Sequence, residues 1–160
     1  MCKLCRLPEP GGCPPELDGI GVEPLTDGFD GGYLFHASRN RRGTVKCFLM
    51  DNAVVAGIGR IYGAETLFAA REDTRREAGS LTRNECDRIV REAKRILSRA
   101  IELGGSSISD FLNVDGSEGK FAQELLIYGR GGKSCLRCGG TVLCVRLGGR
   151  SSCYCPHCQK

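Results

Sequence analysis

A mainly α chain that closes with a small C-terminal β-hairpin is the fold class predicted by three stretches of this 160-residue sequence. One is a long amphipathic run from Thr82 to about Leu103. Another is a pair of shorter apolar-periodic runs between Thr44 and Ala70. The last is two C-x2-C pairs, Cys135/Cys138 and Cys155/Cys158, with sixteen residues between them.

An apolar content of 41% at this length supports a real core, held by one domain or two small ones. The net charge of +4 is unevenly spread: residues 1–30 carry six acids against Lys3 and Arg6, whereas residues 31–50 carry Arg39, Arg41, Arg42 and Lys46 and no acid. No run approaches the ~20 apolar residues that cross a bilayer, so no membrane partner is expected. The chain opens without an apolar signal segment, and four of its eleven cysteines are claimed by the paired spacing, which points to a reducing cytoplasm.

Residues 1–20 read as an irregular tail. Residues 1–16 hold four of the six prolines and show neither helical nor strand period. Cys2 and Cys5, with Cys13 nearby, have the form of half a metal site, but no second pair stands in step with them. From Leu17 the chain looks foldable. Leu25-Thr26-Asp27 precedes Phe29, Tyr33, Leu34 and Phe35, a spacing that predicts a short helix with Thr26 or Asp27 as its cap. Gly43–Asp51 predicts another short helix beginning near Thr44, and Gly57 and Gly59 break the apolar stretch after it. A further helix is expected over Arg60–Ala70, burying Ile61, Ala64, Leu67 and Phe68. Two short helices joined by a glycine-containing turn make a corner whose helix N-termini and turn amides suit phosphates.

The long helix from Thr82 carries its own start signal, a capping box of Thr82 and Glu85 with Leu81 and Cys86 as staple. Cys86, Ile89, Val90, Ala93, Ile96, Leu97, Ala100 and Ile101 keep to one face, and Gly104-Gly105 is expected to end the helix. Arg83, Asp87, Arg88, Arg91, Glu92, Lys94, Arg95 and Arg99 occupy the other face, which reads as the solvated side of a core helix before it reads as a nucleic-acid surface.

The C-terminal cysteines form the sequence signature of a structural zinc site. Each C-x2-C pair aims two thiolates at one metal while the intervening segment runs out and returns as a hairpin. Thr141–Val145 and Ser152–Tyr154 have strand-type residues, and Leu147-Gly148-Gly149-Arg150 supplies the turn. Four protein ligands leave no open coordination position, so the expected cofactor is one Zn2+ that holds structure and activates no water. From Gly129 onward there are six basic residues and no acid. A small, rigid, basic hairpin is suited to phosphates, and the absence of tryptophan makes broad base-stacking platforms less expected than phosphate contacts.

Gly21-Val-Glu-Pro-Leu25, Lys46-Cys-Phe-Leu-Met-Asp51, Gly57-Ile-Gly-Arg-Ile-Tyr62 with Glu65 and Leu67-Phe68, Gly104-Gly105 with Asp110-Phe111, Tyr128-Gly-Arg130, and a finger ending in Gln159-Lys160 stand in one order. In that order they resemble the bacterial formamidopyrimidine-DNA glycosylases, over about residues 17–160. The resemblance implies a helix-two-turn-helix DNA-binding domain over 21–127 and a four-cysteine zinc finger over 128–160, the C-terminal half of such an enzyme. It implies damaged double-stranded DNA as partner, a monomer, and base excision repair of oxidised purines such as 8-oxoguanine, with backbone cleavage as lyase.

Carried over by the same resemblance, Arg41, Lys46, Arg60, Tyr128, Arg130 and Arg150 are expected at DNA. Arg150 is also the expected proton donor for the second elimination, and Ser106, Ser107, Ser109 and Asp110 belong to the loop that closes over a flipped base. Departures accompany the match. Arg60 stands where the family has Asn, a change from a short directional amide to a longer charged fork. The N-terminal β-sandwich and its nucleophilic N-terminal proline have no counterpart, and Pro15, although followed by Glu16-Leu17 as in the family's opening, is internal and has no free amine. The expectation is therefore DNA binding with no glycosylase activity by this chain alone. The alternatives are an active enzyme whose catalytic domain is encoded upstream or on a separate chain, and a non-enzymatic zinc interaction module.

Overall fold

The computed structural model describes residues 21–103 and 124–160. In order, these form α1 (Gly31–Ser38), α2 (Val45–Leu49), α3 (Arg60–Ala70), a 3-10 turn (Ala78–Ser80), α4 (Arg83–Glu102) and a hairpin of β1 (Leu143–Leu147) and β2 (Arg150–Tyr154). The Gly104-Gly105 helix stop and the Ser106–Asp110 loop lie outside the described residues.

Helix α4 forms because its start is chemically specified. The Thr82 hydroxyl accepts from Glu85 N, and the Glu85 carboxylate accepts from Thr82 N, which satisfies two donors that a helix start leaves unpaired. Its apolar stripe is buried from Cys86 to Ala100, but Ile101, expected in that stripe, is 66% exposed. The polar face is held largely by protein partners: Arg83 pairs with Asp87, Arg95 with Glu92, Arg99 with Glu102 and Glu124, and the Lys94 ammonium donates to Thr26 O at 2.9 Å.

Helix α1 lies against α4. Its cap is neither Thr26 nor Asp27 but Asp30, whose carboxylate accepts from Tyr33 N at 2.7 Å. Thr26 is occupied in the preceding turn: its hydroxyl donates to Glu23 O, and its own carbonyl accepts from Phe29 N. The approach to α4 is so close at Gly31 that a Cβ there would sit 1.6 Å from the Asp87 carboxylate.

Between α2, capped by Thr44, and α3 lies a two-step turn. Val54 N and Val55 N both donate to Asp51 O, then Gly57 adopts φ +81° and its N–H reaches the Asn52 side-chain oxygen. Residues Gly21 and Val22 run beside this turn, with Gly21 N donating to Asn52 O and Val22 bridging Val55 in parallel. The core beneath is built from Phe29, Leu34, Phe48, Leu49, Val55, Ile58, Leu67, Ile89 and their neighbours, all from the helical region. Within α3, Ala64, Leu67 and Phe68 are buried as expected, whereas Ile61 is only half-buried.

A second cluster attaches the hairpin to α3: Ala64 and Phe68 pack with Ile127, Cys135, Val142, Cys153 and Cys155. Polar contacts complete the joint. The buried Glu65 carboxylate, 4% exposed, accepts the backbone N–H groups of Leu126, Ile127 and Tyr128 at 2.9 Å each, fixing the segment that enters the finger. At the other end, the Gln159 side chain accepts from Cys155 N and donates to Glu72 O, and Lys160 N donates to Arg71 O. Arg137 lies over the Phe68 ring and donates to Phe68 O at 3.0 Å. Glu72, 1% exposed, is paired with Arg76 and Arg88; burial raises its pKa above the ordinary carboxylate value, the nearby Glu85 adds to that, and the two guanidiniums oppose it.

Candidate metal centre and nucleic-acid interface

The four cysteines converge. The Sγ atoms of Cys135, Cys138, Cys155 and Cys158 all lie within 4.8 Å of one another, with Cys135 to Cys158 at 3.9 Å and Cys138 to Cys155 at 3.5 Å. Four thiolates at ~2.3 Å from a central zinc, at the corners of a tetrahedron, lie about 3.8 Å apart. The set therefore fits one structural zinc ion. The backbone supports it, since Arg137 N points at the Cys135 sulfur and Gly140 N at the Cys138 sulfur, both at 3.4 Å, placing partial positive charge beside thiolates. The metal closes the base of the hairpin, and the β1–β2 register then carries Arg150 to its tip, opposite Leu147.

The tip turn is Gly148-Gly149, both residues left-handed at φ +57° and +78°, as a two-residue hairpin connection with the right twist requires. It leans on α2: a Cβ at Gly148 would lie 2.9 Å from the Cys47 sulfur. Two hollows result. A cavity of about 170 Å³ is lined by Lys46, Cys47, Met50 and, from the finger, Leu147, Gly148, Arg150 and Ser152. A neighbouring cleft of about 310 Å³ is lined by Met50, Asn52, Gly57, Ile58, Gly59 and again Arg150. The exposed Arg150 thus stands between the hairpin and the turn that precedes α3.

The predicted basic residues divide into three locations. Lys46, Arg60 and Arg150 come together. Lys46 is 2% exposed, and its ammonium donates to the Ser152 hydroxyl at 2.8 Å across 106 residues of sequence. Burial lowers its pKa to about 8, with the charges of Arg60 and Arg150 acting in the same direction and Cys47 opposing them. Among the described ion pairs none involves Lys46, Arg60 or Arg150. Arg41 lines a separate hollow with Asn40, Arg42, Glu77 and Gly79 and is paired with Asp51 at 3.5 Å. Tyr128 and Arg130 sit at the base of the finger. Tyr128 is held there by Glu65, and the Arg130 guanidinium donates to Ser134 O while its buried Nε has no protein partner. Ser106, Ser107, Ser109 and Asp110 lie outside the described residues.

Two further participants went unnamed from the sequence. Ser152 lies two residues beyond Arg150 and therefore on its side of β2, a strand-period signal that could have marked it. Asn52 had no such signal, because its role in bracing Gly57 depends on the path of the turn.

The Lys46 shift has a measurable consequence. Below about pH 8 the ammonium is charged in both folded and unfolded chains. Between about 8 and its ordinary 10.5 the folded chain releases the proton while the unfolded chain keeps it. Stability attributable to this group therefore rises with pH across that window. Urea unfolding at pH 7.5 and 9.5 should show that increment in the native sequence, and Lys46→Met should remove it.

A helix–turn–turn–helix corner facing a zinc-held basic hairpin defines the class, a helix-two-turn-helix domain joined to a four-cysteine finger. Residues 20–112 match the formamidopyrimidine-DNA glycosylase H2TH domain, and residues 132–160 match the zinc finger found in FPG and IleRS. The chain belongs to the formamidopyrimidine-DNA glycosylase family. It is 53% identical to the formamidopyrimidine-DNA glycosylase of Pseudomonas paraeruginosa over 144 residues, which are 90% of this chain and 53% of that protein. The crystal structure of MutM (Fpg) from Thermus thermophilus superposes with a TM-score of 0.82 at 38% identity, over 88% of this chain and 53% of the other. The Lactococcus lactis Fpg in complex with abasic-site DNA gives 0.81 at 34%, over 89% and 52%. The chain thus spans about half the length of the relatives it matches. Among the described residues no helix is long and apolar enough to cross a membrane.

Proposed function

We propose that this chain is the duplex-gripping part of a formamidopyrimidine-DNA glycosylase and binds damaged double-stranded DNA as a monomer in base excision repair. The observation that carries the reading is the group of Lys46, Arg60 and Arg150: the charges of both arginines act against that of Lys46, and none of the three has a carboxylate partner among the described ion pairs. Lys46 and Arg150 line one cavity, and Arg150 also lines the cleft at the Gly57–Gly59 turn that leads into Arg60. Cations held this way favour an anion that bridges hairpin and turn, and a phosphate backbone supplies a row of them. Solved relatives include one on abasic-site DNA, which supports the same ligand class.

Within this reading Arg150 works at the tip. Its guanidinium stabilises phosphate charge and is suited to donate a proton to a departing oxygen. The Tyr128-Gly129-Arg130 segment, set by Glu65, extends the grip at the finger's base. Oxidised purines such as 8-oxoguanine are the proposed lesions of the complete enzyme. The amine that attacks the sugar is not among these residues in our reading, so the chain alone binds without excising, and a catalytic domain supplied in cis or in trans completes the chemistry.

The test is fluorescence anisotropy on duplexes with and without an abasic site, across a salt series, with borohydride trapping on the same DNA. Salt-dependent binding that favours the abasic duplex, with no covalent adduct, is the expected result. Equal, salt-insensitive affinity for both duplexes would refute the grip, and rapid trapping would show that the chain carries its own amine chemistry. Arg150→Ala, at an exposed position, should leave stability unchanged, weaken binding about 10- to 100-fold and reduce the salt slope by about one.

A further inference from the structure

The finger contains two cysteines that the metal does not use. Cys144 on β1 and Cys153 on β2 are register partners, their Cα atoms 4.1 Å apart, and their sulfurs are bonded to each other. Their surroundings differ. Cys144 is exposed, whereas Cys153 is 9% exposed and packs in the cluster that contains the zinc ligands Cys135 and Cys155. Room for the pair is provided by backbone: a Cβ at Gly131 would lie 2.4 Å from the Cys144 sulfur. The bond ties the hairpin between its metal-bound base and its Arg150 tip.

We propose that Cys144 and Cys153 form a reversible dithiol–disulfide site, separate from the zinc ligands, that reacts with low-molecular-weight disulfides and, when closed, holds the hairpin against loss of zinc. The reaction needs no other partner. The sulfur of Cys144, the more exposed residue of the two, attacks one sulfur of the small disulfide and expels the first small thiol. Cys153, held opposite by the strand register, then attacks the Cys144 sulfur and expels the second. Two electrons pass from the protein dithiol to the reagent, and the two S–H protons end on the two released thiols. Closure removes open conformations of the finger that would otherwise become accessible as thiolates leave the metal. Cys144, the exposed residue of the pair, receives the oxidant first, and its register partner Cys153 is not a ligand.

The zinc-loaded full chain equilibrated with oxidised or reduced glutathione, then alkylated and peptide-mapped, tests this directly. Zinc release to a chromogenic chelator is followed on the same samples. Oxidation should lower the intact mass by about 2 Da before alkylation and leave Cys144 and Cys153 without alkyl groups after it, with one zinc retained, and should slow zinc release about fivefold or more. Cys144→Ser, which removes the Cys144–Cys153 bond at an exposed residue and leaves Cys153 unpaired, should bind one zinc and show no glutathione dependence of release. Persistent free thiols or a glutathione adduct at Cys144, oxidation directed to the four ligands with zinc lost, or equal release rates would each overturn the proposal. None of these readouts involves DNA, so the outcome is independent of the nucleic-acid reading.

Discussion

Chelation of zinc from the reduced chain should dismantle the finger and leave the helices standing. The reason is the separation of the two hydrophobic clusters. The larger is made wholly from residues of the helical region, from Phe29 to Leu97, and contains nothing from the finger. The smaller depends on Cys135, Cys153 and Cys155, two of which are metal ligands. Structural zinc supplies ~10 to 16 kcal/mol of apparent binding energy in small fingers, more than so small a cluster can replace. Far-UV circular dichroism should therefore keep nearly all of its helical signal, while duplex affinity falls by about two orders of magnitude or more as Arg150 loses its support. Cys138→Ser should reproduce both results. A helical signal that collapses with the metal would mean that finger and helices are one cooperative unit. Unchanged affinity would remove the finger from the DNA site.

Glu65→Ala should be the most damaging single change outside the metal centre. The carboxylate accepts three consecutive backbone N–H groups, from Leu126, Ile127 and Tyr128, at a site almost closed to solvent. Alanine leaves all three donors without their acceptor. At about 1–3 kcal/mol for each stranded buried donor, and allowing for partial rehydration, the expected loss is about 3–6 kcal/mol in urea unfolding. Glu65→Gln provides a sharper comparison. The Oε1 atom alone receives all three N–H groups, so an amide oxygen placed there retains most of the contacts, and its NH2 opposes only Leu126 N. The glutamine variant should lose less than half as much. Equal losses would show that the charge matters and the acceptor geometry does not.

Local chemistry made much of the fold legible. The α4 capping box, the Arg60–Ala70 span and the metal-ligand spacing depend on residues within a few positions of one another, and each was identifiable without tertiary information. The α1 cap was not, because Thr26, Asp27 and Asp30 are all competent caps and the choice is made by a turn that occupies Thr26 first. Ile101 has the right period for burial but lies at the end of α4, where it remains largely exposed. The position of Lys46 depends on Ser152, more than a hundred residues away, and the Cys144–Cys153 pairing depends on a register that only the turn fixes. At the candidate interface, the basic residues could be named as expectations but not grouped: Lys46 and Arg150 line one cavity with the charge of Arg60 acting on Lys46, while Arg41 lines another hollow.

Helix α3 and strand β2 also run side by side in the same direction. Arg150 lies by the turn before α3, Cys153 packs with Ala64 and Phe68 of the helix, and Tyr154 lies under Arg75 in the segment that follows it. Eleven helical residues rise about 16 Å and five strand residues about 17 Å, so the two are matched in length. An insertion of one residue in α3 would swing everything beyond it by about 100°, and the same insertion in β2 would reverse which side chains face the helix. Helix and strand therefore form a matched pair of rulers, and length changes compatible with this architecture must fall in the turns outside them.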